Sequence, residues 1–355
     1  MKRTGIKDLQ RPIIISGPCS AETEEQVMQT AKDLHATGKV DMLRAGIWKP
    51  RTRPNSFEGI GEKGLDWLVA AGEETGLPVI TEVANTKHVE RCLKKGFDRL
   101  WIGARTTVNP FAVQEIADAL KGTRVEVLVK NPINPDLNLW IGAIERFQNV
   151  GLDDVHAIHR GFSSVMSRKY RNDPMWEIPI ALKRTFPEIK MICDPSHITG
   201  KRDLIFDVSQ KAMDLIYDGL MIESHPDPDN AWSDAAQQVT PLKLKEILDR
   251  LIIRKEFPEG VKVAEDLSDL RLKINDIDYE LIRLIAQRMV VAEEIGQYKK
   301  EHNITILQPN RWAEIKRLQL ENAERQGLSS KFVSKFLEAI HQESIRHQTA
   351  IMNKG

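Results

Sequence analysis

The sequence predicts an α/β chain in which a (β/α)8 barrel is followed by an all-α helical domain. Within residues 1–253, eight short apolar runs alternate with longer amphipathic segments. Strands that alternate with helices imply a parallel sheet, and eight such units fit a closed barrel better than the alternative, a doubly wound sheet. Beyond residue 265 the runs stop, and apolar residues recur in steps of three and four, which is typical of helices. We therefore expect a barrel over residues 1–253, a linker over 254–265 and a helical domain over 266–355.

Each predicted strand is followed by a segment of helical length. The apolar runs are residues 12–16, 40–43, 78–81, 99–102, 125–129, 155–158, 189–192 and 219–222. The helical segments lie near residues 22–37, 62–75, 87–95, 110–120, 139–149, 174–186, 201–217 and 240–252. After them, Pro258 and Gly260 belong to a helix-breaking cluster that marks the linker.

The composition excludes several classes of function. Lys plus Arg equals Asp plus Glu at 51 each, so no net charge favours binding to nucleic acid or to a membrane surface. No apolar run approaches the length of a transmembrane helix, and the N-terminus lacks the apolar stretch of a signal peptide. The 3 cysteines are too few for a disulfide framework and suit a reducing cytoplasm, where we expect the protein.

A polar or charged residue follows every predicted strand. In chain order these residues are Cys19, Arg44, Glu82, Arg105, Lys130, Arg160, Asp194 with His197, and Glu223. In a parallel barrel the carboxyl ends of the strands form one mouth, and active sites are built there. A barrel without a site would carry its charged residues scattered along the loops. The arrangement therefore predicts a catalytic site at the mouth.

The mouth combines a cationic set with a set of metal donors. Arg and Lys side chains suit phosphate and carboxylate ligands, and the cationic set is Arg44, Lys49, Arg51, Arg105, Lys130 and Arg160. A thiolate, an imidazole and two carboxylates suit one divalent metal ion (manganese, iron, zinc or cobalt), and the donor set is Cys19, His197, Glu223 and Asp234. Each donor alone has a plainer explanation, such as a buried cysteine, a helix cap or a solvated turn carboxylate.

Six motifs of this region resemble those of 3-deoxy-D-arabino-heptulosonate 7-phosphate (DAHP) synthases, in their shorter class I branch. They are GPCS at 17–20, KPRT at 49–52, TEV at 81–83, GAR at 103–105, DPSH at 194–197 and ESHPDPDNAWSD at 223–234. The related eight-carbon sugar-acid phosphate synthases carry Asn in place of Pro50. The resemblance implies a metal-dependent condensation of phosphoenolpyruvate with erythrose 4-phosphate, the first step of the shikimate pathway.

The resemblance also implies which residues act. It assigns the metal to Cys19, His197, Glu223 and Asp234. It assigns phosphoenolpyruvate to Arg44, Lys49, Arg105, Lys130 and Arg160. Arg51 and Thr52 would contact erythrose 4-phosphate. The chain departs from the family pattern at Arg53 and in the NPINPD stretch at 131–136, which affects the shape of loops and leaves the reacting residues in place.

The helical domain begins with a long amphipathic helix. Its apolar seam runs from Leu267 to Tyr298 in steps of three and four, about 33 residues or roughly 50 Å, which exceeds what a small domain buries alone. Arg288 interrupts this seam, and Lys299 lies roughly 16 Å further along the axis, near enough for the two side chains to hold one small dianion. Arg271 is roughly 25 Å from Arg288 and would serve a site on another protomer. We therefore expect an intertwined homodimer with shared sites, and a higher homo-oligomer is compatible with it.

Residues 266–352 resemble the all-helical class of chorismate mutases. The matching residues are LRxKIxxID at 270–278, Arg288, Lys299, Arg311, Ser344 and Gln348. The resemblance implies that Arg271 of the partner subunit, Arg288 and Arg311 bind the two carboxylates of chorismate, with Ser344 also in the site. Lys299 and Gln348 would hydrogen-bond the ether oxygen as it gains charge. Gln308 and Trp312 depart from the family, which often has Asp and Glu at these positions.

The two resemblances together predict a bifunctional shikimate-pathway enzyme. The two reactions are not consecutive, so passing a product between the sites does not explain the fusion. We expect the mutase domain to act also as a sensor through which chorismate or prephenate inhibits the synthase. The alternative is a synthase whose helical domain only assembles the protein and senses ligand.

Overall fold

The computed structural model describes residues 5–49, 57–164, 169–215, 217–255, 257 and 260–353. The chain separates into two compact units, Met1–Glu256 and Phe257–Gly355, each with its own packing.

The first unit is a closed barrel of eight parallel strands in chain order, so the predicted fold is confirmed. The barrel closes where β1 pairs with β8, with Ile13 beside Gly219 and Gly17 beside Glu223. The strands are β1 Ile13–Gly17, β2 Met42–Arg44, β3 Val79–Val83, β4 Arg99–Ile102, β5 Glu126–Lys130, β6 Val155–His159, β7 Met191–Cys193 and β8 Gly219–Glu223.

Alternate residues of each strand point into the barrel, because side chains along a strand repeat with a period of two. The interior cluster is Ile6, Ile13, Ile15, Met42, Ile80, Trp101, Leu128, Ile158, Ile192 and Met221. Ile6 comes from a short turn before β1, and its N–H donates to Glu126 Oε1 at 2.8 Å at the start of β5. The amino-terminal end of the barrel is thus filled, which leaves the carboxyl ends of the strands to form the site.

The helices around the barrel begin and end close to the predicted positions. They are α1 Glu24–Ala36, α2 Lys63–Thr75, α3 Thr86–Lys94, α4 Ala104–Thr107, α5 Pro110–Leu120, α6 Leu137–Asn149, α7 Glu177–Thr185, α8 Pro195–Thr199, α9 Ile205–Asp214 and α10 Pro241–Asp249. The short helices α4 and α8 have no counterpart among the predicted helices. Each starts directly after a strand, so it holds its side chains at the mouth of the barrel.

The described part of the second unit, residues 257 and 260–353, contains three helices, α11 Val261–Glu301, α12 Pro309–Arg325 and α13 Ser330–Asn353. The later half of α11 packs on α13 and buries Met289, Ala292 and Gly296. A side chain at Gly296 would meet Gln348 at 3.1 Å, so the absence of one lets the two helices approach closely. The earlier half of α11 leaves its apolar residues exposed, for example Leu270 at 56% and Ile277 at 65%.

The linker prediction needs a correction, because α11 begins at Val261 inside the predicted linker 254–265. Gly260, with φ +97°, ends the breaker cluster, and the next Gly or Pro in the chain is Gly296, near the far end of the helix. The helix therefore spans 41 residues, longer than the predicted length. Among the described residues, no helix is long and apolar enough to span a membrane.

Candidate active sites

The carboxyl ends of the barrel strands enclose a small charged cavity. Its lining residues are Lys49, Glu82, Ala104, Arg105, Lys130, Arg160, His197 and Asp234. Six of these were predicted as site residues from the sequence, and they come from six separate segments of the chain. Arg51 and Thr52 lie outside the described residues, so the structure does not locate them.

The predicted metal donors come together at one side of this cavity. Donor atoms of Cys19, Glu223 and Asp234 all lie within 4.8 Å of one another. Cys19 Sγ is 3.4 Å from Asp234 Oδ2, and His197 Nε2 is 3.8 Å from Glu223 Oε1. A soft sulfur, an imidazole and two carboxylates in so small a volume fit a divalent transition metal.

The surroundings of Cys19 on their own favour its neutral thiol form. Burial raises the pKa of the Cys19 thiol to about 12, and the charge of Glu223 acts in the same direction. A nearby cation is needed to hold this buried sulfur as a thiolate, and metal binding deprotonates cysteine. Lys49 Nζ lies 3.0 Å from Sγ and supplies part of that charge.

Further side chains hold the two carboxylates in place. Arg44 Nη1 donates to Glu223 Oε1 at 2.9 Å, and Gln237 Nε2 donates to Glu223 Oε2 at 2.7 Å. Arg171 Nη1 donates to Asp234 Oδ1 at 2.9 Å. Burial would raise the pKa of Asp234, but the charges of His197 and Arg171 outweigh it and hold this pKa well below the usual value. Both carboxylates are therefore ionised and oriented.

The structure gives Arg44 a different position from the other predicted cations. It is 1% exposed, lies over the Trp101 ring at 4.8 Å, and also donates to the backbone oxygen of Cys19 at 3.1 Å. These contacts place its guanidinium behind Glu223, on the side of the metal donors. Its contact with phosphoenolpyruvate stays a prediction.

The remaining cations lie elsewhere on the wall of the cavity. Lys130 Nζ donates to Asp194 Oδ2 at 2.9 Å, and the other carboxylate oxygen, Asp194 Oδ1, lies 3.0 Å from His197 Nδ1. Burial would raise the pKa of Asp194, but His197 and Lys130 hold it well below the usual value. Burial lowers the pKa of Arg160 to about 10, which still leaves this side chain charged at neutral pH. The wall therefore offers several fixed positive charges to a ligand.

Several residues of the site carried no assigned role in the sequence analysis. Asp194 and Glu82 were visible as strand-end residues, and Asp194 proves to join Lys130 to His197. Glu82 Oε2 accepts from the Trp101 indole at 2.8 Å, and a side chain at Gly103 would meet Glu82 at 2.2 Å. Arg171 follows a loop rather than a strand, so the pattern of strand ends gave no signal for it.

The helical unit contains a second cavity, with a volume of about 340 Å³, at the lower end of the usual range for small-ligand sites. Its polar lining residues are Arg288, Lys299, Gln308, Arg311, Trp312, His341, Ser344 and Gln348. Arg288 donates to Ser344 Oγ, and Lys299 Nζ donates to the backbone oxygen of Ile306 at 2.7 Å. Arg271 lies on the exposed early half of α11 and is not on the wall of this cavity.

The comparisons with known proteins agree with this geometry. The model of the DAHP synthetase I family matches residues 4–256. The chain belongs to the DAHP synthetase I family. A phospho-2-dehydro-3-deoxyheptonate aldolase of Thermotoga maritima is 32% identical over 252 residues, which cover 70% of this chain and 71% of that protein. A crystal structure of a DAHP synthase from the same organism superimposes with a TM-score of 0.61 at 30% identity and covers 67% of each chain.

The chain is more distantly similar to 2-dehydro-3-deoxyphosphooctonate aldolases. A 2-dehydro-3-deoxyphosphooctonate aldolase of Francisella tularensis is 27% identical over 264 residues, which cover 70% of this chain and 92% of that protein. The helical unit has its own match, because the chorismate mutase type II model covers residues 270–349. The chain thus joins a DAHP synthase to a chorismate mutase, two enzymes of the shikimate pathway.

Proposed function

We propose that the barrel condenses phosphoenolpyruvate with erythrose 4-phosphate, with one divalent metal ion bound by Cys19, His197, Glu223 and Asp234. The observation that carries this proposal is the donor cluster beside a cavity lined by fixed cations: donor atoms of Cys19, Glu223 and Asp234 lie within 4.8 Å of one another, and His197 Nε2 is 3.8 Å from Glu223 Oε1. When bound there, the ion would act as a Lewis acid toward the aldehyde oxygen of erythrose 4-phosphate. C3 of phosphoenolpyruvate forms the new bond to the aldehyde carbon, water adds at C2, and phosphate leaves with cleavage of its C–O bond.

The residues of the chain would supply binding and charge stabilisation rather than a nucleophile. Arg105, Lys130 and Arg160 line the cavity, and their charges suit the carboxylate and phosphate of phosphoenolpyruvate. Asp194 fixes Lys130 from behind, so this ammonium is oriented before the substrate arrives. Lys49, whose Nζ lies 3.0 Å from Cys19 Sγ, would also hold phosphoenolpyruvate, and Arg51 with Thr52 would bind erythrose 4-phosphate.

The test of the barrel is the loss of the ultraviolet absorbance of phosphoenolpyruvate. We expect loss only when erythrose 4-phosphate and a divalent metal are both present. A strong chelator should reduce the rate to background, and added manganese should restore it. Undiminished turnover in the chelated protein would contradict the metal assignment. If no metal gave turnover, the assignment of these two substrates would be wrong.

For the helical unit, we propose that it rearranges chorismate to prephenate. Arg288 and Arg311, together with the partner subunit's Arg271, would bind the two carboxylates. Lys299 and Gln348 would hydrogen-bond the ether oxygen, which gains negative charge as its bond to carbon breaks. Orientation and charge stabilisation suffice for this reaction, so no nucleophile is required.

The helical unit would work as a homodimer. The exposed apolar residues on the early half of α11 are an extended surface that a second chain would bury. A partner helix lying along this surface would bring its Arg271 towards the cavity that contains Arg288. In this arrangement, residues from both chains would form each site.

Complementation tests the shared site directly. Arg271→Ala and Arg288→Ala should each remove mutase activity, but refolding the two variants together should restore about a quarter of the wild-type rate, because half of the dimers are mixed and each mixed dimer holds one intact site. Each variant refolded alone is the control. If both residues served the same chain, the mixture would stay inactive.

We further propose that chorismate or prephenate bound to the helical unit inhibits the barrel. The fusion supports this proposal, since the two reactions are not consecutive in the pathway. A second candidate is a helical unit that senses ligand without catalysis, and Gln308 and Trp312 on the cavity wall favour it, because they replace the family's acidic residues. Chorismate left unconsumed by the purified protein would support this second candidate.

A further inference from the structure

His341 lies on the wall of the helical cavity and carries no role in the functions proposed above. It stands on the same face of α13 as Ser344 and Gln348, since the spacings of three and four place them one turn apart. Its imidazole ring stacks on the indole of Trp312 in α12, with ring centroids 4.0 Å apart and planes 9° apart. The stacking holds the ring in one orientation at the edge of the cavity.

One nitrogen of this ring has no hydrogen-bond partner within the described part of the chain. His341 Nε2 is shielded from solvent, and none of the residues that the structure describes bonds to it. Two of its polar neighbours do have partners, because Arg288 bonds to Ser344 and Lys299 bonds to Ile306. Gln348 Oε1, on the same face of α13, is likewise shielded and has no partner among the described residues. A shielded polar atom without a partner is uncommon in folded proteins. It indicates that a ligand or a water molecule forms the missing hydrogen bond.

Among the described residues, the charged side chains that line the cavity around His341 are cations, and one of them, Arg311, also pairs with Glu314 at 2.7 Å. Arg288 and Lys299 come from α11, and Arg311 comes from α12. The ion pair of Lys316 with Glu338, at 2.9 Å, also joins α12 to α13, but it is self-neutralising. Burial, and then the charges of Arg288 and Lys299, lower the pKa of His341 below its ordinary value of 6.5. The ring is therefore neutral in the free protein near neutral pH.

We propose that His341 is a ligand-contacting residue of the helical cavity, which takes up one proton when a dicarboxylate binds and donates a hydrogen bond from Nε2 to a ligand carboxylate. The proton comes from the solvent and passes to the imidazole, and no bond of the ligand changes. The inference rests on the proposed function of the helical unit, because that function supplies the dicarboxylate. A dianion beside Arg288 and Lys299 offsets the charges that keep the ring neutral, so protonation becomes favourable.

The coupling fixes the direction of the pH dependence. Below the pKa of the free ring the imidazole is already charged, and affinity is highest. Affinity then falls as pH rises through the pKa of the ring in the complex, by up to about tenfold per pH unit.

Calorimetric titration of the full chain with prephenate tests the proposal. Titrations in phosphate and in Tris at the same pH give the number of protons taken up, because the two buffers differ in their heat of ionisation. We expect uptake approaching one proton per site near pH 7. His341→Gln keeps a hydrogen-bonding group that does not titrate, so we expect no uptake and a nearly constant Kd between pH 6 and 8. His302→Gln, a change of an exposed histidine away from the cavity, should behave as wild type.

The outcomes separate this inference from the proposed function beneath it. Prephenate binding without proton uptake in the wild type overturns the role of His341 and leaves the mutase site intact. An unchanged uptake in His341→Gln overturns it as well. If prephenate does not bind to the wild type at all, the role of His341 and the assignment of the cavity fail together. A merely structural role for His341 would lower affinity equally at every pH.

Discussion

Replacement of Cys19 by alanine is expected to lower kcat of the barrel reaction by about a thousandfold or more, equivalent to about 4 kcal/mol of transition-state stabilisation. The reason is that Cys19 Sγ completes a compact donor set with Glu223 and Asp234. Without the sulfur, two carboxylates and one imidazole remain, a set that favours harder ions and binds them less tightly. Measurement of bound metal in the purified protein should show its loss in parallel with the loss of phosphoenolpyruvate consumption.

Cys92→Ala is the matched control, because it makes the same chemical change at another buried cysteine. Cys92 packs in the core on α3, among residues such as Val89 and Phe97. We expect this variant to lose some stability and to keep both its metal and its activity. Cys19→Ser adds a second comparison, since its hydroxyl can still accept a hydrogen bond from Lys49. If Cys19→Ala kept metal and turnover, the donor set would have to be assigned to other residues.

The sequence alone predicted the barrel because two physical signals coincide in it. Strands that are buried on both faces appear in the sequence as continuous apolar runs. In the helices between them, apolar residues recur every three or four positions. The same order predicted which residues meet at the mouth, since each follows a strand and all strands are parallel. Arg105, Lys130, Arg160 and His197 accordingly line one cavity. Lys49 and Asp234 also line it, from positions further along the chain after β2 and β8.

What the sequence did not reveal depends on contacts between distant segments. The pairing of Arg44 with Glu223, which draws its guanidinium behind the metal donors, joins residues on β2 and β8. Arg171 reaches Asp234 from a loop, and loop geometry has no periodic pattern. In the helical unit, the stacking of His341 on Trp312 joins α13 to α12. The spacing along α11 showed that Arg288 and Lys299 share one face of that helix. It gave no information on which side chains of α12 and α13 pack against this face.

Replacement of Arg288 by alanine is expected to lower kcat/KM for chorismate by about a hundredfold to a thousandfold, equivalent to about 3–4 kcal/mol. Arg288 is the cation that interrupts the apolar seam of α11, and its bond to Ser344 on α13 orients it towards the cavity. Arg288→Lys should retain part of the rate, because a point charge replaces the bidentate guanidinium. The measurement is the disappearance of chorismate, followed by its ultraviolet absorbance.

The same variant tests whether the helical unit regulates the barrel. In the absence of prephenate, the barrel of Arg288→Ala should turn over at the wild-type rate, since Arg288 belongs to the other unit. Added prephenate should inhibit the wild type and leave the variant almost unaffected. Arg283→Ala on the same helix, where Arg283 pairs with Glu280 at an exposed position, is the matched control and should keep both mutase activity and inhibition. Full inhibition of Arg288→Ala would place the regulatory site elsewhere, whereas lost inhibition with intact chorismate turnover would separate sensing from catalysis.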